Sequence, residues 1–510
     1  MVNRRTMLGA GTAALGLAAL RGSAVLPGNT ASAATSIPWS KLGQHLRGQL
    51  VLPTDPYYAI AKELELGQFD GTDPQAVAYC VSPADVSTAV RFAQDYCVPV
   101  AVRSGGHSYG GYSSTPGLII DVFRLNAVTV GDSTVTIQPG AQNVQILNTL
   151  APYGLVVSEG GCPTVAAGGF LQGGGFGFLT RPLGMACDAL VSAQVVLADG
   201  SLVTASEQEH PDLFWAIRGG GGGNFGVVTS FTVTPHAGDQ MASSTLVFPF
   251  DRAVDVLDGF ARWLVDAPRT IGGGAYIAPS DGTPGSAPNL VAMLACHGTA
   301  AQLAAETQRL GTFTGAPVFQ QDGVSSYRDL MMNVFGCATL TEAQCQRSGK
   351  TPQGQLSRPV FGLERSRLSG APFTHDGWAQ VMTAFNANPS AGQSRFLDLQ
   401  MFGGAANDPA RTDTAYVHRD SLFSVNYRAQ IYDAQNATDD EISAATQWVY
   451  HGFDTINPLS NGETYQNWID PVLPDWKQSY YAENYARLSL VKSRYDRFQF
   501  FRFAQSIQLA

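Results

Sequence analysis

The sequence predicts an α+β protein, because strand-like runs follow one another without regular helical crossovers, glycines gather in three clusters, and alternating apolar segments fill the second half. The chain has 510 residues, 45% of them hydrophobic and 14% charged, enough to bury a large core divided over about two domains. Ser82-Pro83-Ala84-Asp85 begins a helix, with the serine as cap, proline in the first turn, and Val86, Val90 and Ala93 on one apolar face. A buried strand over 98–102 then leads into Arg103-Ser104-Gly105-Gly106-His107-Ser108, a turn whose glycines let backbone amides approach a ligand closely. Strands are expected over 118–122 and 134–137, a short helix over 143–150, and a hairpin over 193–205 around Asp199-Gly200. A further strand over 227–233 precedes a change of composition near Pro235, after which 396–401 and 422–431 alternate as strands. The apolar positions of 451–510 have helical spacing, which suits a segment packing back onto the first half.

Residues 1–33 read as an address: Arg4 and Arg5 precede an apolar stretch, and Ala31-Ser32-Ala33 offers small residues for cleavage. The expectation is export, by the twin-arginine route that moves folded proteins. Removing this segment takes the formal charge from −10 to −13, and an acidic surface repels phosphate backbones. Nucleic acid is not an expected partner, nor is a membrane anchor expected once the signal is gone. The seven cysteines are an odd number, so in an oxidising compartment at least one stays free, modified or paired outside the chain. Cys337 and Cys345 are close enough in sequence to form a small disulfide loop, while Cys80, Cys97, Cys187 and Cys296 have neighbours suited to buried thiols. Cys162 stands apart, inside a glycine cluster.

The clusters at 103–111, 160–177 and 219–226 suit a large anionic cofactor, since exposed amides satisfy phosphate oxygens without lysine or arginine. Tight turns of purely structural use are the competing reading. Glycines 168, 169, 173, 174, 175 and 177 do not follow the GxGxxG dinucleotide pattern. Gly349-Lys350-Thr351 matches the end of a phosphate-binding loop, but Gln344 stands where that loop needs glycine.

Four segments carry a resemblance: RSGGHSYGGYSS (103–114), GGCPTVAAGGFLQGGGFGFLTR (160–181), LFWAIRGGGGGNFGVVTSF (213–231) and YYAENYARLSLVKSRYDRFQFFRFAQSI (480–507). Together they resemble the berberine-bridge-enzyme-like family of FAD-linked oxidases, within the vanillyl-alcohol-oxidase superfamily. The resemblance implies a two-part FAD-binding domain over 45–236, a substrate domain over 237–450 with an antiparallel sheet covered by helices, and a segment at 451–510 returning to the FAD domain. It implies FAD bonded at its 8α-methyl to His107 and at C6 to Cys162. Arg103, Ser104, Gly105, Gly106 and Ser108 would accompany His107 around the cofactor. Val165, Gly168, Gly169, Gly173, Gly174, Gly175 and Gly177 would do so from the second motif, with Val228 and Asn484 from the last two. No metal is expected.

Oxidising an alcohol needs hydride transfer to the flavin and a base for the hydroxyl proton. The resemblance places Tyr465 of Tyr465-Gln466-Asn467-Trp468 as that base, with Trp468 departing from the tyrosine usual there. A phenol of ordinary pKa, about 10, is a poor base at neutral pH, so a partner must depress it. The strand over 396–401 would supply that partner, and Gln400 occupies the aligned position, with Asp398 two residues earlier on the same face. Val165, third after the flavin cysteine, tends to accompany reaction with dioxygen. Tyr109 and Tyr112 line the ring or pack in the core, and Lys492 either serves the segment returning to the cofactor or caps a helix or pairs at the surface. The expected substrate is a small molecule or oligosaccharide bearing a hydroxyl, or a glycosylated natural product. It would be oxidised to a carbonyl with O2 as acceptor, giving H2O2. The alternative is a biosynthetic flavoenzyme performing dehydrogenation or oxidative ring closure.

Overall fold

The computed structural model describes residues 37–238 and 240–510, so the expected signal segment lies outside the described residues. The helix Pro83–Asp95 begins where its cap predicts, with Ser82 Oγ accepting from the Asp85 amide at 3.2 Å. It leads to a four-stranded sheet ordered 49–51, 76–79, 118–121 and 100–103, of which the last three strands are parallel and the first antiparallel. A five-stranded antiparallel sheet follows, ordered 128–130, 135–137, 227–233, 190–196 and 202–206. The expected hairpin forms its last pair, closed at Gly200, whose φ is 77°. The helix Asn143–Leu150 matches its expected bounds.

Residues 240–431 build a seven-stranded antiparallel sheet, ordered 319–326, 240–248, 288–296, 271–279, 394–401, 423–431 and 361–369. Side chains on a strand alternate between faces, so each strand serves two surroundings. Leu397, Leu399 and Met401, with Val425, Tyr427 and Ala429 beside them, enter a core shared with the helices Ala253–Leu264, His375–Phe385 and Asp439–Ile456. Asp398, Gln400, Asn426 and Arg428 occupy the intervening positions and face the other way. The helix Tyr485–Tyr495 packs against Pro211–Ile217, bringing the end of the chain back to the third glycine cluster.

Arg181 ties the glycine-rich half to this sheet. Its guanidinium donates to the carbonyls of Ala267, Ile271 and Phe402 at 2.8, 2.8 and 2.6 Å, and no carboxylate among the described residues pairs with it. Cys337 and Cys345 are joined, with 5.7 Å between their Cα atoms. Cys80, Cys187 and Cys296 are buried as expected, whereas Cys97 is exposed. Its backbone turns with φ of 52° between the helix Pro83–Asp95 and the strand at 100–103, which sets it at the surface.

Glu159 is buried immediately before the second glycine cluster, and neither carboxyl oxygen has a hydrogen-bond partner among the described residues. Burial pushes its pKa well above the ordinary carboxylate range, so the folded protein holds it neutral. The unfolded chain then binds fewer protons than the native one between those two pKa values, and stability falls there by about 1.4 kcal/mol per pH unit. Glu159→Gln should remove this fall: thermal melts between pH 4 and 8 are expected to show the variant gaining on the parent protein as pH rises.

Candidate active site

One cleft of about 600 Å³ runs between the glycine-rich half and the bare face of the seven-stranded sheet. Its first wall is backbone: Ser104, Gly105 and Gly106 from one turn, Gly160, Gly161, Gly168 and Gly169 from the second, and Gly221, Gly222 and Gly223 from the third. A Cβ on Gly169 would meet nothing within 4 Å, and one on Gly161 would meet only Val334 at 3.9 Å, so side chains there would enter the space itself. The first two turns lie against each other at Gly105, where a Cβ would come within 2.9 Å of the Ala166 nitrogen and 3.1 Å of the Thr164 oxygen. Only glycine permits that approach.

This contact brings His107 and Cys162 to the same cleft. His107 Nε2 is 3.0 Å from Thr164 Oγ1, and Cys162 Sγ is 3.8 Å from the same oxygen. Desolvation lowers the His107 pKa, leaving the imidazole neutral at neutral pH. Burial pushes the Cys162 thiol up, against the pull of hydrogen bonds from Thr164 and Val165. Ser108, Val165, Gly177 and Val228 also line the cleft. A long space walled by backbone amides, with an imidazole and a thiol at one side, fits a flavin dinucleotide.

The opposite wall is polar and spans four neighbouring strands. Tyr276 pairs in register with Asp398, and Asp398 with Asn426, while Glu364 pairs with Arg428. Arg428 Nη2 donates to Asp398 Oδ2 at 3.2 Å, Asn426 Nδ2 to Glu364 Oε1 at 2.6 Å, and Tyr276 Oη to Gln400 Oε1 at 3.3 Å. Burial raises the Asp398 pKa to about 6, even though Arg428 draws it down. A carboxylate tuned to that value can exchange protons near neutral pH.

Several expected residues sit elsewhere. Tyr465 borders the cleft, but its hydroxyl oxygen accepts from the Gly175 amide at 2.8 Å and from Asn467 Nδ2 at 2.9 Å. Desolvation outweighs those two donors and raises the phenol pKa, the reverse of what a tyrosine base needs. Gly173, Gly174 and Gly175 do not line the cleft; they make room for Asn467, Tyr416 and Phe170. Arg103 points behind its turn and pairs with Asp121 at 2.6 Å. Asn484 is spent on the carbonyls of Arg411 and Thr414 at 2.8 and 3.1 Å.

Lys492 is not at the surface. It is fully buried, paired with Asp496 at 2.7 Å and donating to the carbonyls of Asn224 and Phe501, at 2.5 and 2.6 Å. It thereby fixes the third glycine turn from behind. Tyr276, Glu364, Asn426 and Arg428 were not singled out from sequence, although Asn426 and Arg428 repeat the two-residue spacing of Asp398 and Gln400.

Two lobes, a backbone-walled cofactor groove and a facing antiparallel sheet, define a flavoprotein oxidoreductase. Comparison with known proteins agrees. Residues 74–206 match the FAD binding domain family and 464–508 the berberine and berberine-like family. An uncharacterized FAD-linked oxidoreductase of Bacillus subtilis, YgaK, is 29% identical over 91% of this chain and 97% of its own. The xylooligosaccharide oxidase of Thermothelomyces thermophilus is 29% identical over 86% of this chain and 88% of its own. Among solved structures, glucooligosaccharide oxidase from Acremonium strictum, described as carrying 6-S-cysteinyl, 8α-N1-histidyl FAD, superposes with a TM-score of 0.80. That match has 24% identity and covers 91% of this chain and 97% of the other. The chain thus carries the FAD binding and berberine-like domains of an FAD-linked oxidoreductase, and the relatives it matches include carbohydrate and oligosaccharide oxidases.

Replacing Lys492 by methionine would leave Asp496 buried without its cation. Lys492→Met is expected to destabilise the protein by about 3–5 kcal/mol, read as a drop in denaturant midpoint. Arg494→Met, at an exposed pair with Asp212, should change it by less than about 1 kcal/mol.

Proposed function

We propose that this protein is a secreted oxidase that converts a hydroxyl group of a sugar, oligosaccharide or glycosylated metabolite to a carbonyl, passing the electrons to dioxygen as H2O2. The observation that carries the reading is the cleft itself. Two flavin-anchoring side chain types lie on its glycine wall, and a row of polar side chains on the sheet faces them. FAD, bonded at 8α to His107 and at C6 to Cys162, would supply the hydride acceptor. Hydroxyl-rich substrates suit the facing wall because Tyr276, Glu364, Gln400, Asn426 and Arg428 offer donors and acceptors on adjacent strands.

Asp398 takes the hydroxyl proton. Its pKa near 6 makes it ionised at neutral pH yet still basic enough to accept, and Arg428 holds it in place. Tyr465 positions the wall between the Gly175 turn and Asn467. Val165 keeps a small branched side chain beside the cofactor space, in keeping with access for dioxygen. The signal-like residues 1–33 support the proposed export, and the disulfide Cys337–Cys345 suits an oxidising compartment.

Peroxide release on a panel of mono- and oligosaccharides tests the activity. Silence on every sugar, together with flavin bleaching by an aromatic polyketide, would sink the carbohydrate reading. Acid-denatured protein is expected to keep its yellow colour; His107→Ala and Cys162→Ala should each keep it through the remaining bond, and the double variant should lose it. Asp398→Asn is expected to slow substrate-driven flavin reduction by about 10²–10⁴-fold, and the parent rate should rise as pH passes about 6. Tyr465→Phe should cost stability while changing reduction far less than Asp398→Asn does.

A further inference from the structure

Glu65 and Thr164 belong to neither wall of the cleft, yet both approach His107 from behind. Thr164 Oγ1 lies 3.0 Å from His107 Nε2, and Glu65 Oε2 lies 3.7 Å from the same nitrogen. Both are held in place by backbone contacts: the Glu65 amide donates to the Gly106 carbonyl at 3.1 Å, and Gln142 Nε2 donates to the Thr164 carbonyl at 2.9 Å. The neighbouring cation, Arg347, is committed to Glu63 at 2.9 Å and to the Leu64 carbonyl. Glu65 therefore has no closer ionic partner than His107 among the described residues.

We propose that Glu65 and Thr164 form a built-in proton acceptor that drives attachment of the flavin to His107, an inference that rests on the covalent cofactor proposed above. With Nε2–H directed at Thr164 and Glu65, the other ring nitrogen, Nδ1, carries the lone pair. Burial, which keeps the ring neutral, preserves that lone pair. When Nδ1 bonds to the 8α carbon, a C–H bond of that carbon breaks, its proton leaves, and its electron pair reduces the ring system by two electrons. The imidazole would become a buried cation unless Nε2 released its proton at the same time, and Glu65 is the carboxylate placed to take it. The two protons released equal the two taken up by the reduced ring, and dioxygen then removes both electrons and both protons as H2O2. Glu65 and Thr164 act through His107 and are positioning residues. Because Thr164 Oγ1 also lies 3.8 Å from Cys162 Sγ, its loss should reach both anchors, whereas loss of the Glu65 charge should reach His107 alone.

The test uses full-length protein made under riboflavin limitation and then supplied with FAD. Covalent bonds are followed over time by the masses of the peptides bearing His107 and Cys162. Glu65→Gln is expected to slow modification of the His107 peptide at least tenfold while the Cys162 peptide is modified at the parent rate. Thr164→Val should slow both, and Thr164→Ser, which keeps the hydroxyl, should restore both. Tight non-covalent FAD binding and an unchanged melting temperature in these variants would show that the loss is chemical and not one of folding. Parent-like His107 modification in Glu65→Gln would overturn the proposal while leaving covalent FAD intact. An unmodified His107 peptide in the parent protein would instead overturn both readings together.

Discussion

The packing of Gly105 against Ala166 and Thr164 is the constraint on which the site depends. Two turns distant in sequence meet with no side chain between them, because a Cβ at Gly105 would come within 2.9 Å of a backbone nitrogen. That approach places an imidazole and a thiol on one threonine hydroxyl, and it leaves the surrounding amides free to line a groove. A larger residue there would press the two turns apart at Ala166 and Thr164. The third glycine turn is held by a different device, the buried Lys492–Asp496 pair, whose ammonium gathers two carbonyls from separated segments. Hydrophobic packing alone cannot specify the position of a bare backbone loop, since glycine offers no surface to pack; hydrogen bonds from behind do it instead.

The seven-stranded sheet solves the complementary problem. Its period of two sends apolar residues to the helices and polar ones to the cleft, so the same strands supply both stability and chemistry. Register aligns Tyr276, Asp398 and Asn426 in one row, which fixes their spacing more tightly than loops would. The cost of burying Asp398 appears as its raised pKa, and Arg428 limits that rise without cancelling it.

How far the sequence disclosed this arrangement depended on the kind of residue. Helix and strand positions followed from local physics: Ser82 caps the helix it announces, and Asp199-Gly200 closes its hairpin. His107 and Cys162 were legible because each sits within a long motif of closely spaced glycines. Tyr465 was legible as a cleft residue but not in its role, since a phenol's pKa depends on burial that no spacing reveals. Lys492 misled because cations are normally exposed, and Arg103 because membership of the first motif does not say which way a side chain points; only the fold shows that carbonyls and a carboxylate enclose them. Asn426 and Arg428 lie on a strand whose alternation was legible, but alternation marks a polar face without saying what that face meets, and Glu364 lies in a strand whose polar residues run consecutively.

Arg181 has a consequence for how substrates are admitted. Its three acceptors lie on the sheet-bearing half while its own backbone belongs to the glycine-rich half. Swinging the halves apart would break three hydrogen bonds of one guanidinium at once, with no carboxylate among the described residues to replace them. This linkage resists separation of the two halves and favours a preformed mouth. A mouth of that kind would sort its guests by shape, as a sieve does.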